Sequence, residues 1–252
     1  MLEFKNVDIN VGKTSILKNI SVEFETGKIT SIIGPNGCGK TTLLQTLNGI
    51  SKVVSGQILL EGQSFLELSY KERAKRLSFL PQLRENSPSI SVKGLVEHGR
   101  FPYMGFSRKM SEEDEKAVYD ALEFVSLYDY RNQLVSELSG GLQQRVYLAM
   151  QLAQNSRYMV MDEPMNYLDF PAQREMYQLM KKLKARGKTI ILVLHDLGQT
   201  LQISDNIVVM DDRKIMGTGT VKECMQSDII RKVFKCEISE VDIDGSHQYV
   251  FT

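Results

Sequence analysis

The chain carries no excess charge of either sign: 31 lysines and arginines stand against 31 aspartates and glutamates over 252 residues. At the level of the whole chain this excludes the basic footprint of a dedicated nucleic-acid binder, and no nucleic acid is expected among its partners. Cysteine is scarce. Cys38, Cys224 and Cys236 are too few and too scattered for a disulfide framework or a zinc site, a usage that suits a reducing cytosol. No apolar run approaches the length that crosses a bilayer. The opening Met1-Leu2-Glu3-Phe4-Lys5 lacks the basic-then-apolar order of a signal peptide, so any membrane role is expected to come through a partner. No repeat period and no low-complexity segment is visible. The length suits one large α/β domain, or one with a sizeable insertion.

What is there centres on Gly34-Pro35-Asn36-Gly37-Cys38-Gly39-Lys40-Thr41, which satisfies G-x-x-x-x-G-K-[ST] between the apolar run Ile29–Ile33 and a helix-like stretch over Thr41–Gly49. Glycines let the backbone curl so that successive N–H groups point at phosphates. Lys40 would reach the β- and γ-phosphates, Thr41 would offer its hydroxyl to magnesium, and Thr42 lies beside it. A nucleotide triphosphate site follows, but this loop alone does not separate kinases, GTPases, helicases and transport motors.

The rest of the chain alternates strand and helix signals. Leu2–Ile9 and Ile16–Glu25 read as antiparallel strands around a turn at Val11-Gly12-Lys13. Gly56–Glu61, Leu77–Leu80, Tyr158–Met161, Ile190–Leu194 and Ile207–Met210 read as strands. Tyr70–Arg76 reads as a short helix, and Pro171 opens and Gly187 closes a longer one. From about Leu83 to Val135 long β-branched runs are missing, and Ser111-Glu112-Glu113-Asp114 starts a helix. This middle reads as a helical insertion, about 83–154 with the helix from Gly141 to Ala153, set into a β subdomain and α/β core over 1–82 and 155–252. Its loop Phe101-Pro102-Tyr103-Met104-Gly105-Phe106 serves either local packing or a docking surface. The alternation predicts a mostly parallel sheet with its ligand at the carboxyl ends of the strands.

Four polar residues stand at such ends. Asp162 and Glu163 follow Tyr158–Met161, on a strand expected to lie beside the one feeding the P-loop. Asp162 could hold magnesium, and Glu163 could take a proton from an attacking water. Gln82 follows Leu77–Leu80, and His195 follows Ile190–Leu194, where it could contact the γ-phosphate. Leu138-Ser139-Gly140-Gly141 opens the helix after the insertion, either as a second anion-binding helix start or as a plain N-cap. Each is bland alone; their recurrence at one sheet edge argues for function.

In order and spacing, Gly34–Thr41, Gln82, Leu138-Ser139-Gly140-Gly141, Asp162-Glu163-Pro164, Asn166-Tyr167-Leu168-Asp169 and His195 resemble the Walker A, Q-loop, signature, Walker B, D-loop and H-loop of ABC-transporter ATPase subunits. No N-K-x-D guanine motif is present. The segment Val92–Asp114 with His98-Gly99-Arg100-Phe101-Pro102-Tyr103, together with Tyr167-Leu168-Asp169, is similar to importers of ferric siderophores, haem and cobalamin. The resemblance implies a P-loop fold with a RecA-like core, an N-terminal antiparallel β subdomain and a helical insertion. It implies ATP and Mg2+ as cofactors. Lys40, Ser139 and His195 would meet the γ-phosphate, Thr41, Gln82 and Asp162 would surround the metal, and Glu163 would be the base. It further implies a head-to-tail homodimer that sandwiches ATP between one subunit's P-loop and the other's Ser139, Gly140 and Gly141, with Asp169 reaching the opposite subunit. Two membrane-spanning permease subunits would dock near the Gln82 loop and residues 85–110, an extracytoplasmic binding protein would act indirectly, and the chain would sit on the cytoplasmic face of the membrane. The chain is also expected to end soon after its last strand, without an added regulatory domain.

Three positions depart from the family pattern. The adenine-stacking aromatic falls at Val11, the fifth signature residue is Leu142 with Gln143 and Gln144 after it, and Met165-Asn166 replaces a commoner threonine or serine pair. Two other readings stay open at this stage: a soluble ABC ATPase acting in assembly, as of iron–sulfur clusters, or in translation, and an importer subunit for metal ions, amino acids, haem or cobalamin.

Overall fold

The structure, a computed structural model, describes residues 1–82, 88–105, 109–166, 168–243 and 246–251. They group into two units, one of Met1–Glu67 with Thr189–Thr252, the other of Leu68–Lys188. The chain enters the first unit with β1 (Leu2–Val11), β2 (Thr14–Phe24), β3 (Ile29–Ile33), α1 (Lys40–Gln45), β4 (Lys52–Leu60) and β5 (Gln63–Ser64). It then builds the second with α2 (Tyr70–Arg76), β6 (Leu77–Leu80), α3 (Val92–Glu97), α4 (Glu112–Phe124), α5 (Gly140–Ala153), β7 (Tyr158–Asp162) and α6 (Phe170–Ala185). The first unit is completed by β8 (Thr189–Val193), α7 (Leu197–Ile203), β9 (Asn206–Asp211), β10 (Lys214–Thr220), α8 (Val221–Gln226), α9 (Ile229–Phe234), β11 (Ile238–Ile243) and β12 (Ser246–Phe251).

Alternation decides the first sheet of this unit. In β1 and β2 apolar residues fall at every second position for most of their length, so Leu2, Phe4, Leu17, Ile20, Val22 and Phe24 are buried while their neighbours face water. The two strands pair antiparallel, β4 pairs antiparallel on the other edge of β1, and the order is β2-β1-β4-β5. Phe4 and Phe24 meet edge to face with ring centroids 6.2 Å apart. By contrast β3, β8 and most of β9 are buried on both faces, as mainly apolar, non-alternating strands are in a parallel sheet, with Thr30, Ser31 and Thr189 buried among them. β3 pairs parallel with β8 on one edge and with β9 on the other. Both edges of the strand that feeds the P-loop are thereby taken, so the strand of Asp162 is not its neighbour, contrary to the sequence expectation.

Sequence pattern and structure part in two further places. The first helix after the P-loop ends at Gln45 rather than near Gly49, because Thr46 to Gly49 form turns and the Thr46 hydroxyl donates back to the Leu43 carbonyl at 2.7 Å. Nor does the chain end soon after β9. β10 adds antiparallel to it, and α8, α9 and the β11–β12 hairpin follow, with Cys224, Ile230 and Ile238 packed on Ile33, Leu201, Ile207 and Val209.

In the second unit caps set the helix starts. The Ser69 hydroxyl accepts from the Glu72 N–H at 3.3 Å and the Glu72 carboxylate accepts from the Ser69 N–H at 2.9 Å, which fixes the first turn of α2. Ser111 and Asp114 repeat the device at α4. α6 starts with Asp169 as N-cap and Pro171 in its first turn, and buries Met176, Leu179, Met180 and Leu183 along one stripe. Each such side chain contributes about 1.5–3 kcal/mol of transfer free energy. β6 and β7 pair parallel, with Leu80 opposite Met161.

Candidate functional site

The P-loop curls because glycine alone fits it. A Cβ on Gly34 would stand 2.1 Å from the Met210 carbonyl oxygen, and one on Gly39, whose φ is +102°, would stand 2.5 Å from Leu17 Cδ2. Within the curl the Lys40 ammonium, 5% exposed, donates to the Gly34 carbonyl at 2.7 Å and to the Pro35 carbonyl at 3.0 Å. Among the described residues its partners are carbonyls and, at 4.0 Å, the Cys38 sulfur, with no carboxylate among them. A buried cation held by neutral groups makes the loop fit for an anion. Burial pushes the Cys38 thiol up, so it remains protonated and packs as a small apolar group. Asn36 and Gly37 are exposed, and Thr41 and Thr42 half-buried at the start of α1. Val11 is 44% exposed near the tip of the β1–β2 hairpin, where it pairs with Thr14.

β8 delivers His195. Since Ile32 on β3 lies opposite Val193 on β8, the P-loop and His195 leave the same end of two adjacent parallel strands. His195 is exposed, and the next residue, Asp196, caps α7 by accepting from the Gln199 N–H at 2.8 Å. A cavity of about 550 Å³ elsewhere in this unit is lined by Phe4, Ser21, Thr30, Asn206, Thr218 and Glu223. Thr30 and Asn206 belong to the amino ends of β3 and β9, opposite to the end from which the P-loop leaves, so the cavity is not part of the phosphate cradle.

The second unit brings Gln82 and Glu163 together. β6 and β7 run parallel in register, so both residues emerge from the same end of neighbouring strands, and Gln82 Nε2 donates to Glu163 Oε2 at 2.6 Å. Asp162 is the last residue of β7 and is 3% exposed. Glu163 has a left-handed backbone, φ +53°, uncommon for a residue with a Cβ. A turn follows: the Asn166 N–H donates to the Glu163 carbonyl at 3.2 Å with Pro164 at the second position, where its fixed φ suits such turns. The Asn166 side-chain amide also donates to Glu163 Oε2. In the sequence Asn166 counts both as the first D-loop residue and as a departure, with no role toward Glu163; the signal for that role is the Glu-Pro-x-Asn spacing of a turn that returns residue four to residue one. Asp169 is exposed and caps α6 by accepting from the Ala172 N–H at 3.0 Å. Tyr167 lies outside the described residues.

Ser139 stands at the N-cap of α5 with an extended backbone, yet its side chain makes no capping bond, and both Ser139 and Gly140 are exposed. Gly141 is half-buried against Ala172. Gln143 turns back to the Leu138 carbonyl at 2.9 Å, and Gln144 is buried. The aromatic loop divides its labour. Tyr103 packs, its hydroxyl donating to the Gln154 carbonyl at 3.0 Å and its ring 3.8 Å from the Arg100 guanidinium, while Phe101 is 58% exposed beside His98. Residues 85–87 and 106–108 of the expected docking stretch, Phe106 among them, lie outside the described residues.

Among the described residues no group of three or more histidines, cysteines, aspartates or glutamates could hold a metal ion. Asp162 at the end of β7 supplies a single buried carboxylate, which suits a magnesium ion that arrives with phosphate oxygens and not one caged by protein. No described helix is long and apolar enough to cross a membrane.

A family model described as ABC transporter matches residues 17–166. The chain is 35% identical to the iron(3+)-hydroxamate import ATP-binding protein FhuC of Bacillus subtilis (strain 168), over 94% of this chain and 88% of that protein. It is 36% identical to the petrobactin import ATP-binding protein YclP of the same organism, over 100% of this chain and 99% of that protein. Among solved structures, the ADP conformation of an ATP-binding cassette of an ABC transporter superposes with a TM-score of 0.82 at 24% identity, covering 94% of this chain and 99% of that one.

Proposed function

Because this chain belongs to the ABC transporter family, we propose that it is the ATP-hydrolysing subunit of a bacterial importer for ferric siderophores. Relatives whose names give iron(3+)-hydroxamate, petrobactin and ferric enterobactin import, each at 34–36% identity over nearly the whole chain, support the cargo class. The observation that carries the catalytic reading is the meeting of Gln82 and Glu163 at the carboxyl ends of β6 and β7.

In this reading the P-loop amides bind the phosphates and Lys40 leaves the Gly34 and Pro35 carbonyls to neutralise the β- and γ-phosphates. Magnesium, when bound with ATP, offsets charge on the phosphoryl oxygens. Thr41, Asp162 and Gln82 are the groups that would hold it. Glu163 accepts a proton from the attacking water, and His195 orients that water toward the γ-phosphate. Val11, in place of an aromatic, gives the adenine only an aliphatic contact. Ser139, Gly140 and Gly141 close over the γ-phosphate of a second copy in a head-to-tail dimer, and Asp169 faces that copy. The helical stretch 83–154 and the Gln82 loop receive two permease subunits, which place this chain on the cytoplasmic face of the membrane and link it to an extracytoplasmic binding protein.

The test is uptake of radioactive iron as a ferric siderophore by source cells that lack this chain. Supplying the native chain should restore uptake and Glu163→Gln should not; uptake that persists without the chain would sink the importer assignment.

A further inference from the structure

We propose that Asn166 is a positioning residue for hydrolysis, which holds the Glu163 carboxylate in a fixed orientation from one side while Gln82 holds it from the other. The inference rests on the reading of Glu163 as general base. Three independent features converge on it. The backbone of Glu163 is left-handed at φ +53°, so its side chain leaves the strand end in a direction an ordinary strand residue would not take. The Asn166 N–H closes the turn on the Glu163 carbonyl at 3.2 Å, which ties the two residues together independently of their side chains. And the Asn166 Nδ2 and the Gln82 Nε2 both donate to the same oxygen, Oε2 of Glu163.

Two donors on one carboxylate oxygen fix the plane of the group and direct the other oxygen. A base that must meet water in line with a phosphoryl group depends on that direction, since small misplacements of reacting atoms lower turnover steeply. The two donors are not equivalent. Gln82 lies on a stretch that leaves the sheet after β6, whereas Asn166 is bound into the same short turn as the base. In the proposed reading Gln82 would also serve magnesium, whereas Asn166 has Glu163 as its partner within one turn.

Turnover of the full chain distinguishes this from a packing role. Asn166→Ala should lower kcat roughly ten- to a hundredfold with KM for ATP unchanged. Asn166→Asp keeps the shape but replaces the donor with a second carboxylate beside the first, and should be lower still. Wild-type turnover in Asn166→Asp, or in Asn166→Ala, would overturn the proposal. Binding of a fluorescent ATP analogue confirms that each variant is folded. In the Glu163→Gln background, Asn166→Ala should have much less than its single effect, because the group it aligns is gone. If Glu163→Gln itself turned over normally, the base assignment would fail first, a result distinct from failure of Asn166 alone.

Discussion

At the scale of the residue, the P-loop glycines differ in what surrounds them, and they should differ in effect. Gly34→Ala drives a methyl into the Met210 carbonyl at 2.1 Å, a backbone atom of a buried strand that cannot step aside. Gly37 has a positive φ of +80° but nothing within 4 Å of where an alanine methyl would stand, so Gly37→Ala meets only the left-handed backbone penalty of about 1–2 kcal/mol. Thermal unfolding should therefore show a much larger drop in Tm for Gly34→Ala than for Gly37→Ala, and nucleotide binding should be lost in the first. Equal shifts would mean that strain and not close approach governs the loop. If Glu163 is the base, as proposed above, Glu163→Gln should lower ATP turnover roughly a hundredfold or more while ATP still binds, measured by phosphate release against analogue binding. The motif residues were legible because chemistry restricts them to a few residue types at fixed spacing. The partner of Glu163 was not, since an asparagine three residues on is common in any turn and only its folded geometry turns it toward the carboxylate.

At the scale of the element, the second unit depends on a buried ion pair that joins helix capping to packing. Arg100 donates to Asp114 Oδ1 from Nε and Nη2, each at 2.8 Å, and from Nη1 to the Ala153 carbonyl at 2.7 Å, with the two residues 3% and 6% exposed. Asp114 Oδ2 meanwhile accepts from the Ser111 N–H and hydroxyl, which caps α4. Burial alone would raise the Asp114 carboxyl, but the Ser111 donors and the Arg100 guanidinium together hold it below its ordinary value. A lowered folded value means stability that is complete above the unfolded carboxyl value near pH 4 and is lost as pH falls through the folded one. Urea unfolding followed from about pH 5 to pH 2 should show this loss, and Asp114→Asn should remove it. At neutral pH Asp114→Asn leaves a buried guanidinium without its counter-charge and should lower stability by about 3–5 kcal/mol, more than the paired replacement Arg100→Met with Asp114→Asn. This capping box explains why the start of α4 was readable from sequence, whereas α2 was read from its amphipathic pattern. β10 was missed because its Gly217 and Gly219 break the β pattern, and α8 because its start, Thr220 with Glu223 three residues on, carries no long apolar stripe behind it.

At the scale of the whole molecule, the exposed start of α5 is the feature that a single copy leaves unexplained. Ser139 has the backbone of an N-cap, but its side chain makes no bond to its own helix, so its hydroxyl and the first amides of a helix of 14 residues face outward. Such a start favours an anion. If that anion is the γ-phosphate bound by another copy's P-loop, the two halves of each site belong to different subunits, and a twofold axis repeats the arrangement. Lys40→Ala then destroys one half of a site and Ser139→Arg the other, and each variant alone should fail to hydrolyse ATP. Mixed in equal amounts they form some dimers in which the intact Lys40 of one subunit faces the intact Ser139 of its partner. Those dimers carry one complete site of two, so the mixture should recover up to roughly a quarter of the native rate, given random pairing and independent sites. Each variant remixed with itself should recover nothing. A site completed within one copy could not be repaired in this way, because every copy in the mixture would carry its own defect, and a mixture as inactive as its parts would reject the head-to-tail arrangement.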